Sequence, residues 1–305
     1  TALAKRITHT RAATCVIGIS GGLDSTLALL VTDKACRLAG KSSKDIIAIT
    51  MPGFGTSGRT YNNAIKLMQN MGVSIKEISI KEACIQHFKD IEHDIDNHDV
   101  TYENSQARER TQILMDIANR MNGIVIGTGD LSELALGWAT YNGDHMSMYG
   151  VNGGVPKTLV RWMVATLADE GVFPKSTEVL KDILDTPISP ELLPADEEGN
   201  ISQQTEDIVG PYALHDFFIY NFVRYGFSPE KIFLLAKHAF RDDFSEEVIL
   251  KWLKSFYRRF FTQQFKRSCQ PDGVRIGSVA LGSKDAFRMM SDASYALWME
   301  QVEKL

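Results

Sequence analysis

The first two hundred residues alternate between short apolar runs and longer amphipathic segments. Four runs rich in β-branched residues and bounded by Gly, Ser or Pro are typical of buried strands; they cover residues 14–19, 45–51, 73–79 and 123–127. Apolar positions at helical spacing predict helices over residues 25–40, 60–72, 81–95 and 103–122. This alternation predicts an α/β fold with a doubly wound, mostly parallel sheet and helices on both of its faces.

After about residue 211 helices follow one another without strands between them. Their patterns cover residues 212–225, 228–240 and 245–265. We therefore expect an α/β core over residues 1–195 and a C-terminal α-helical extension, packed on that core, over residues 196–305.

Two stretches are typical of mobile loops: the Gly- and Asn-rich residues 142–156 and the acidic, polar residues 194–205. Sheets of this kind bind ligands beyond the carboxyl ends of their strands. The loops after Ile19, Met51 and Gly127 are therefore where chemistry is expected.

Composition narrows the class of protein. The chain has 305 residues, 44% hydrophobic and 23% charged, which excludes disordered, collagen-like and coiled-coil chains. A net charge of -5 argues against a dedicated nucleic-acid surface, and apolar stretches such as residues 27–31 are far shorter than the roughly 18 residues of a membrane span. Scattered cysteines and an opening without a secretory signal predict a cytoplasmic protein. Because the chain starts at Thr1, we expect it to be part of a longer protein.

The strongest chemical signal lies between the first predicted strand and the helix that follows it. Its residues are Gly18, Ile19, Ser20, Gly21, Gly22, Leu23, Asp24 and Ser25. Adjacent glycines let the backbone approach an anion, hydroxyls add donors, and the helix directs its N-terminal N–H groups toward bound phosphate. A carboxylate beside phosphate needs a divalent cation between them, so Asp24 is a predicted magnesium ligand. The alternative is a turn in which Ser and Asp cap the helix.

The pattern S-G-G-x-D-S resembles the pyrophosphate loop of the N-type ATP pyrophosphatases, which split ATP to activate a carbonyl-type oxygen for attack by nitrogen. N-S-Q-A-R-E-R over residues 104–110 and G-T-G-D-L-S-E over residues 127–133 resemble blocks of the NAD synthetases. N-G-G-V-P-K-T-L over residues 152–159 and L-H-D-F-F over residues 214–218 resemble the glutamine-dependent branch. The resemblance covers nearly the whole chain and implies a synthetase domain without the nitrilase-like glutaminase domain that precedes it in that branch.

Candidate catalytic residues are Asp24, Glu133 and Lys157. Glu133 follows the fourth strand at the same sheet edge as Asp24, so the two are candidate Mg²⁺ ligands, although Glu133 could simply favour a helix N-terminus. Lys157 starts a helix, where a cation is disfavoured unless it serves an anion, and the resemblance also assigns it to ATP. The candidate ATP site further includes residues 18–25, Thr128 and, by a looser match, Ser189.

The resemblance implies deamido-NAD as the second substrate. Its candidate contacts are Asn104, Arg108, Glu133, Trp138, Tyr141 and Lys266. Trp138 and Tyr141 suit stacking on a pyridine ring, although such rings more often serve packing, and Arg108 could be an ordinary solvated charge. Ammonia-dependent relatives tend to carry Lys at the position of Tyr141 and His at that of Phe265, so these departures favour the glutamine-dependent branch.

Two other segments carry ligand-binding residue types. Residues 53–58 satisfy G-x-G-x-x-G, with Glu77 about 20 residues on, which supports a hydride-transfer alternative. Pro52 interrupts the preceding strand, so we favour a wall of the nucleotide pocket, with Arg59 facing phosphate or adenine. The acid- and His-rich residues 92–99 lack metal-ligand spacing and are typical of a solvated loop.

These features together predict an ATP-dependent carbon–nitrogen ligase of the NAD synthetase type. It would amidate deamido-NAD to NAD through an adenylate, releasing AMP and pyrophosphate, with Mg²⁺ bound and ammonia supplied from glutamine by the glutaminase domain. Residues 142–156 would close over the intermediate, and we expect a homo-oligomer, at least a dimer. The alternatives are an amide ligase of the same superfamily with another acceptor, and a nucleotide-binding module without turnover.

Overall fold

The structure, a computed structural model, describes residues 1–56, 58–187, 192–193, 205–282 and 287–305. The strands are β1 (Thr14–Gly18), β2 (Ile46–Thr50), β3 (Ser74–Glu77), β4 (Gly123–Gly127) and β5 (Tyr149–Gly150). The helices before residue 187 are α1 (Ala2–Thr10), α2 (Leu23–Leu38), α3 (Gly58–Met71), α4 (Lys81–Asp90), α5 (Val100–Arg120), α6 (Leu131–Leu136), α7 (Lys157–Asp169) and α8 (Thr177–Leu184). Those after residue 204 are α9 (Thr205–Val209), α10 (Tyr212–Ile219), α11 (Pro229–Ala239), α12 (Glu246–Thr262), α13 (Gln264–Ser268) and α14 (Ala296–Glu303).

All strand pairs in the sheet are parallel, and the order of the strands is β3-β2-β1-β4-β5. The chain builds outward from β1 to β3 on one side and then returns to add β4 and β5 on the other. The loops after β1 and β4 therefore leave neighbouring strands at the point where the order reverses, which is where ligands of such sheets bind. The predicted α/β sheet is confirmed.

Three hydrophobic clusters organise the packing. The sheet cluster joins one face of the sheet to α1, α2, α3, α7 and α8. A second cluster joins the other face to α4 and α5, so the predicted helices on both faces are confirmed. The helical cluster unites α6 with α10, α11, α12 and α14. Among the described residues, no helix has both the length and the apolarity that a bilayer span requires.

The structure departs from the predicted elements in several places. The helix expected over residues 81–95 ends at Asp90, and Glu92 then takes a left-handed φ of 57°. The helix expected over residues 245–265 divides into α12 and α13, because Gln263 lies between them outside helical geometry. Residues 142–156, expected to be a loop, contain β5, which pairs with the end of β4. Of residues 194–205, only Thr205 is among the described residues.

Candidate active site

The loop after β1 is a tight turn that only glycine permits at its centre. Gly21 has a φ of 91°, and a Cβ atom there would lie 2.1 Å from the Thr60 carbonyl oxygen. Ser20 Oγ accepts the Gly22 N–H at 3.2 Å and lies 3.2 Å from Ser25 Oγ. Close packing against α3 therefore fixes the backbone of the turn where α2 begins.

The N-terminus of α2 is left open. Its N-cap is Gly22, which has no side chain to cap the helix, and Ser20 Oγ accepts the N–H of Gly22 itself from the preceding turn. The N-cap position, which the alternative gives to Ser or Asp, is held by Gly22. The exposed N–H donors and the positive end of the helix dipole remain directed beyond the sheet edge, where they favour a bound anion.

Beside this turn, one buried ammonium lies among three carboxylates. Lys157 Nζ is 2.6 Å from Asp24 Oδ2, 2.8 Å from Glu133 Oε1 and 3.0 Å from Asp130 Oδ2. Lys157 is only 2% exposed, and Asp130 is fully buried. The structure thus brings together the three predicted catalytic residues and adds Asp130 to them.

The charged groups of this acidic cluster shift one another's pKa values. Burial raises the pKa of Glu133 to about 7 against the opposing effect of Lys157, and burial likewise raises the pKa of Asp130 well above its usual range. Burial alone would lower the pKa of Lys157, but Asp130, Asp24 and Glu133 together raise it well above normal. Lys157 is therefore held as a cation. Its single positive charge cannot neutralise all three acids of the cluster.

The acidic cluster suits a hard divalent cation. Asp24, Asp130 and Glu133 offer ligand oxygens that all lie within 4.8 Å of one another. Asp24 Oδ1 is buried and has no hydrogen-bond partner. A carboxylate set with an unpaired buried oxygen has the chemistry that Mg²⁺ requires. Among the described residues no second group of this kind occurs, so residues 92–99 do not form one.

Local structure explains why these side chains converge. Asp130 follows β4 and caps α6, since its Oδ1 accepts the Glu133 N–H at 2.8 Å. Asn152 Nδ2 donates to the carbonyl oxygens of Asp24 and Thr128, both at 2.9 Å. Asn152 therefore ties the start of α2 to the end of β4, and Lys157, five residues later, opens α7 as predicted.

A cavity of about 630 Å³ opens beside Glu133. It runs from the end of β4 along β5 to α1 and to residues 270–275. Three polar atoms of its lining residues are buried without a hydrogen-bond partner: His145 Nε2, Ser147 Oγ and Gln270 Oε1. Unpaired buried polar atoms are costly, so a cavity lined by them suits a ligand with polar groups of its own.

Several residues predicted for the second substrate lie near this cavity but contact protein. Thr140 Oγ1 donates to Asn104 Oδ1 at 2.8 Å, and Arg108 Nε donates to the Tyr141 carbonyl at 3.3 Å. Lys266 Nζ donates to the carbonyls of Gly137 and Ala139 at 2.8 and 2.6 Å. These three side chains support residues 137–141, which border the cavity at Ala139.

The two predicted aromatic residues differ in environment. Trp138 packs against the helical cluster, with the Arg259 guanidinium 5.4 Å from its ring. Tyr141 is 42% exposed, and its ring is stacked on His145 with centroids 5.5 Å apart. Of the two, Tyr141 offers ring surface beside the cavity.

Other predicted residues fall outside the acidic cluster. Arg59 pairs with Asp182 at 2.8 Å. Glu77 accepts a hydrogen bond from Tyr61 at 2.8 Å. Ser189 lies outside the described residues.

Sequence reasoning missed Asp130 and the polar residues of the cavity. Asp130 carried a usable signal, since it lies between a buried strand and Glu133, at the N-cap position of a helix. His145, Ser147 and Gln270 carried none, because only the folded chain brings residues 145–147 and 270 to one cavity.

Comparison with known proteins relates the chain to a family. A family model described as NAD synthase matches residues 1–259. The glutamine-dependent NAD(+) synthetase of Mycobacterium leprae is 43% identical over 316 residues, covering 95% of this chain and 46% of that protein. The chain thus spans about half the length of the curated relatives it matches.

Two solved structures have similar folds. A glutamine-dependent NAD(+) synthetase from Cytophaga hutchinsonii superposes with a TM-score of 0.80 at 17% identity, covering 99% of this chain and 54% of that one. An NMN synthetase from Francisella tularensis superposes with a TM-score of 0.61 at 21% identity, covering 86% of this chain and 93% of that one. The family-model match and the mycobacterial relative show that the chain belongs to the NAD synthase family.

Proposed function

We propose that the chain catalyses the ATP-dependent amidation of deamido-NAD to NAD. The observation that carries this proposal is the position of Lys157, whose Nζ contacts Asp24, Asp130 and Glu133 beside the open N-terminus of α2. Phosphate donors and a carboxylate cluster suited to Mg²⁺ therefore adjoin each other at the switch point of the sheet.

ATP binds with its phosphates on the turn after β1. The N–H groups at the start of α2 and the hydroxyls of Ser20 and Ser25 donate to phosphate oxygens. Lys157 neutralises negative charge on the same phosphates, and burial makes this interaction stronger than it would be in water. Asn152 links Thr128 to Asp24 at the start of α2, and Ser189 stays a prediction.

Asp24 and Glu133, with Asp130, would hold Mg²⁺. When bound, the metal supplies charge stabilisation for the pyrophosphate leaving group. Asp24 Oδ1, which has no partner, is the ligand atom most available for it. Lys157 already offsets part of the negative charge of the cluster, so it keeps the three acids together without a bound metal.

The nicotinate end of deamido-NAD enters the cavity beside Glu133. The cavity volume of about 630 Å³ is in the range of small-ligand sites, and its unpaired polar atoms give such a ligand hydrogen-bond partners. Tyr141 and His145 present stacked rings next to it. Asn104, Arg108 and Lys266 act by supporting the backbone of residues 137–141, and Trp138 by packing.

The reaction then proceeds in two steps. The carboxylate oxygen of the substrate bonds to the α-phosphorus of ATP, and the bond to pyrophosphate breaks. Ammonia next bonds to the carbonyl carbon, AMP leaves, and a proton is released. Neither step needs a protein nucleophile, so the site works by positioning and by charge stabilisation. In the longer protein, a glutaminase domain would supply the ammonia from glutamine.

The test is an endpoint assay on the chain with ATP, Mg²⁺, deamido-NAD and a high concentration of ammonium chloride. We expect NAD, AMP and pyrophosphate in equal amounts, and none of the three from the Asp24→Asn variant. Nicotinate mononucleotide serves as a competing acceptor, because a protein of the same fold is named NMN synthetase.

Each alternative has its own outcome. Amidation of the mononucleotide in preference to deamido-NAD would reassign the acceptor. ATP binding without any pyrophosphate, under every acceptor, would favour a nucleotide-binding module. The domain boundary near residue 195, the cytoplasmic location and the homo-oligomer stay predictions.

A further inference from the structure

The charged residues of the acidic cluster are divided between two hydrophobic clusters. The helix that carries Glu133, α6, packs through Leu136 into the helical cluster. The helix that carries Lys157, α7, packs through Val160 into the sheet cluster. The placement of Glu133 relative to Lys157 therefore depends on how these two packed units are joined.

A polar relay joins them. Ser132 Oγ accepts the Lys157 N–H at 2.8 Å and donates its own proton to Oδ1 of Asp216 on α10. Oδ2 of Asp216 accepts the N–H and the hydroxyl of Thr158 at 2.9 and 2.6 Å. Ser132 is fully buried whereas Thr158 is exposed, so the Ser132 half of the relay cannot be replaced by water.

The relay also supplies hydrogen-bond acceptors to the N-terminus of α7. The N-cap of α7 is Pro156, which offers no side-chain acceptor, so the first N–H groups depend on Ser132 and Asp216. The Asp216 carboxylate also offsets the helix dipole, which disfavours the Lys157 cation at this end. One turn earlier on α10, the Tyr212 ring lies 5.3 Å from Lys157 Nζ. Helix α10 therefore constrains both the backbone and the side chain of Lys157.

We propose that Asp216, acting through Ser132, is a positioning residue that holds Lys157 at the place required for Mg-ATP binding and turnover. This inference rests on the proposed function, because it takes the phosphates of ATP as the ligand of Lys157. It assigns to the L-H-D-F-F segment a role in ATP use, although Asp216 itself touches neither the turn after β1 nor the acidic cluster.

The test compares Ser132→Ala with Thr158→Val, which removes a hydroxyl from the other half of the relay and leaves the Ser132 link in place. We measure the Kd for Mg-ATP without acceptor, then kcat, KM and the Tm of each variant. Ser132→Ala should lower kcat by about 10- to 100-fold and weaken Mg-ATP binding, as a small misplacement of a reacting group does. Thr158→Val should keep kcat and the Kd for Mg-ATP near the values of the parent chain.

A double-mutant cycle with Lys157→Gln separates positioning from general destabilisation. If Ser132 acts through Lys157, then Ser132→Ala should change the Kd for Mg-ATP little once Lys157→Gln is present. Equal effects of Ser132→Ala and Thr158→Val, or an undiminished effect of Ser132→Ala in the Lys157→Gln background, would overturn the proposal. Ser132→Cys, which fills the same space with a weak donor, replaces Ser132→Ala if that variant does not fold.

The Kd measurement needs no acceptor, so it distinguishes the two levels of inference. A parent chain that binds Mg-ATP but forms no NAD contradicts the proposed acceptor, and the Kd comparison still decides the role of the relay. A parent chain that binds no Mg-ATP overturns both.

Discussion

The two sides of the candidate site are built in different ways. On the phosphate side, Asp24, Asp130 and Glu133 lie three to six residues beyond the ends of two adjacent strands, and their side chains contact Lys157 directly. On the cavity side, most of the lining comes from α1, from residues 139–153 and from residues 270–282, and the rest from residues 127–134. The polar atoms of that side include several without partners.

This difference follows from what each side must bind. Phosphates and Mg²⁺ carry concentrated charge, which calls for a compact, fixed set of charges and donors, assembled next to rigid strands. A ring and its sugar need a larger, mostly apolar space with a few hydrogen-bonding groups. Both sides leave binding capacity open: the phosphate side does so at Asp24 Oδ1 within a set of charges, and the cavity side at the uncharged or ring atoms of His145, Ser147 and Gln270.

The largest expected effect comes from removing the cation of the phosphate side. Lys157→Met leaves one fully buried and two partly buried carboxylates facing one another, so the free energy of unfolding should fall by about 3–5 kcal/mol without a divalent cation. Mg²⁺ should restore much of this stability, because it replaces the missing positive charge. Urea unfolding of the variant with Mg²⁺ and with a chelator measures both effects.

Lys266→Met is the matched control from the cavity side. Lys266 donates to two carbonyl oxygens and to no carboxylate that binds Lys157, so Mg²⁺ should not change the stability lost in this variant. A similar Mg²⁺ response in both variants would contradict the assignment of the metal site to the acidic cluster.

The next effect concerns the backbone of the turn after β1. Gly21→Ala should destabilise the chain by about 1–3 kcal/mol and weaken ATP binding, since its φ is 91° and its Cβ would meet the Thr60 carbonyl. Gly22→Ala is the control: it has a φ of -90°, and its Cβ would only approach Ser20 Oγ at 3.4 Å. Equal loss in the two variants, by thermal unfolding and ATP titration, would contradict this account of the turn.

The sequence was most informative on the phosphate side. The turn after β1 and Glu133 were predictable because strand ends in a parallel sheet share one edge, so short spacing in sequence implies proximity in space. Lys157 was predicted from a cation at a helix start and from the resemblance. The strands themselves were found within two residues of their observed ends. Asp130 was missed although it lies between a buried strand and Glu133, at the start of a helix.

The cavity side could not be predicted in the same way. Lys266 contacts Gly137 and Ala139, about 130 positions away in sequence, through helices whose packing no local pattern encodes. Strand β5 has two residues, too few to show a period of two, and α1 contributes to the cavity from the opposite end of the chain. Resemblance to a family pointed to Lys266 and Tyr141, but the structure was needed to find their contacts.

A smaller effect should distinguish binding on the two sides. Lys266→Met frees the carbonyls of Gly137 and Ala139 and loosens the border of the cavity. We expect KM for deamido-NAD to rise about tenfold, as when a charged hydrogen bond is lost, while the Kd for Mg-ATP stays within twofold of the parent. Steady-state kinetics and ATP titration check this, and a parallel loss of ATP affinity would mean that the two sides are not separate.

The last effect is a pH dependence of stability to which Glu133, on the phosphate side, contributes. Burial raises the pKa of Glu133 from 4.5 to about 7, so between these values the folded chain holds a proton that the unfolded chain has lost. The free energy of unfolding should therefore fall as the pH rises from about 4.5 to about 7, with no further loss from this group above that range. Glu133→Gln should reduce this fall, since the raised pKa of Asp130 contributes in the same direction, whereas Lys266→Met should keep it, when both are compared with the parent by urea unfolding in a chelator. Saturating Mg²⁺ should also suppress the fall in the parent, because a bound cation favours the ionised carboxylate. A parent and a Glu133→Gln variant with parallel pH profiles would show that Glu133 is ionised in the folded chain throughout, and that Lys157 alone balances the acidic cluster.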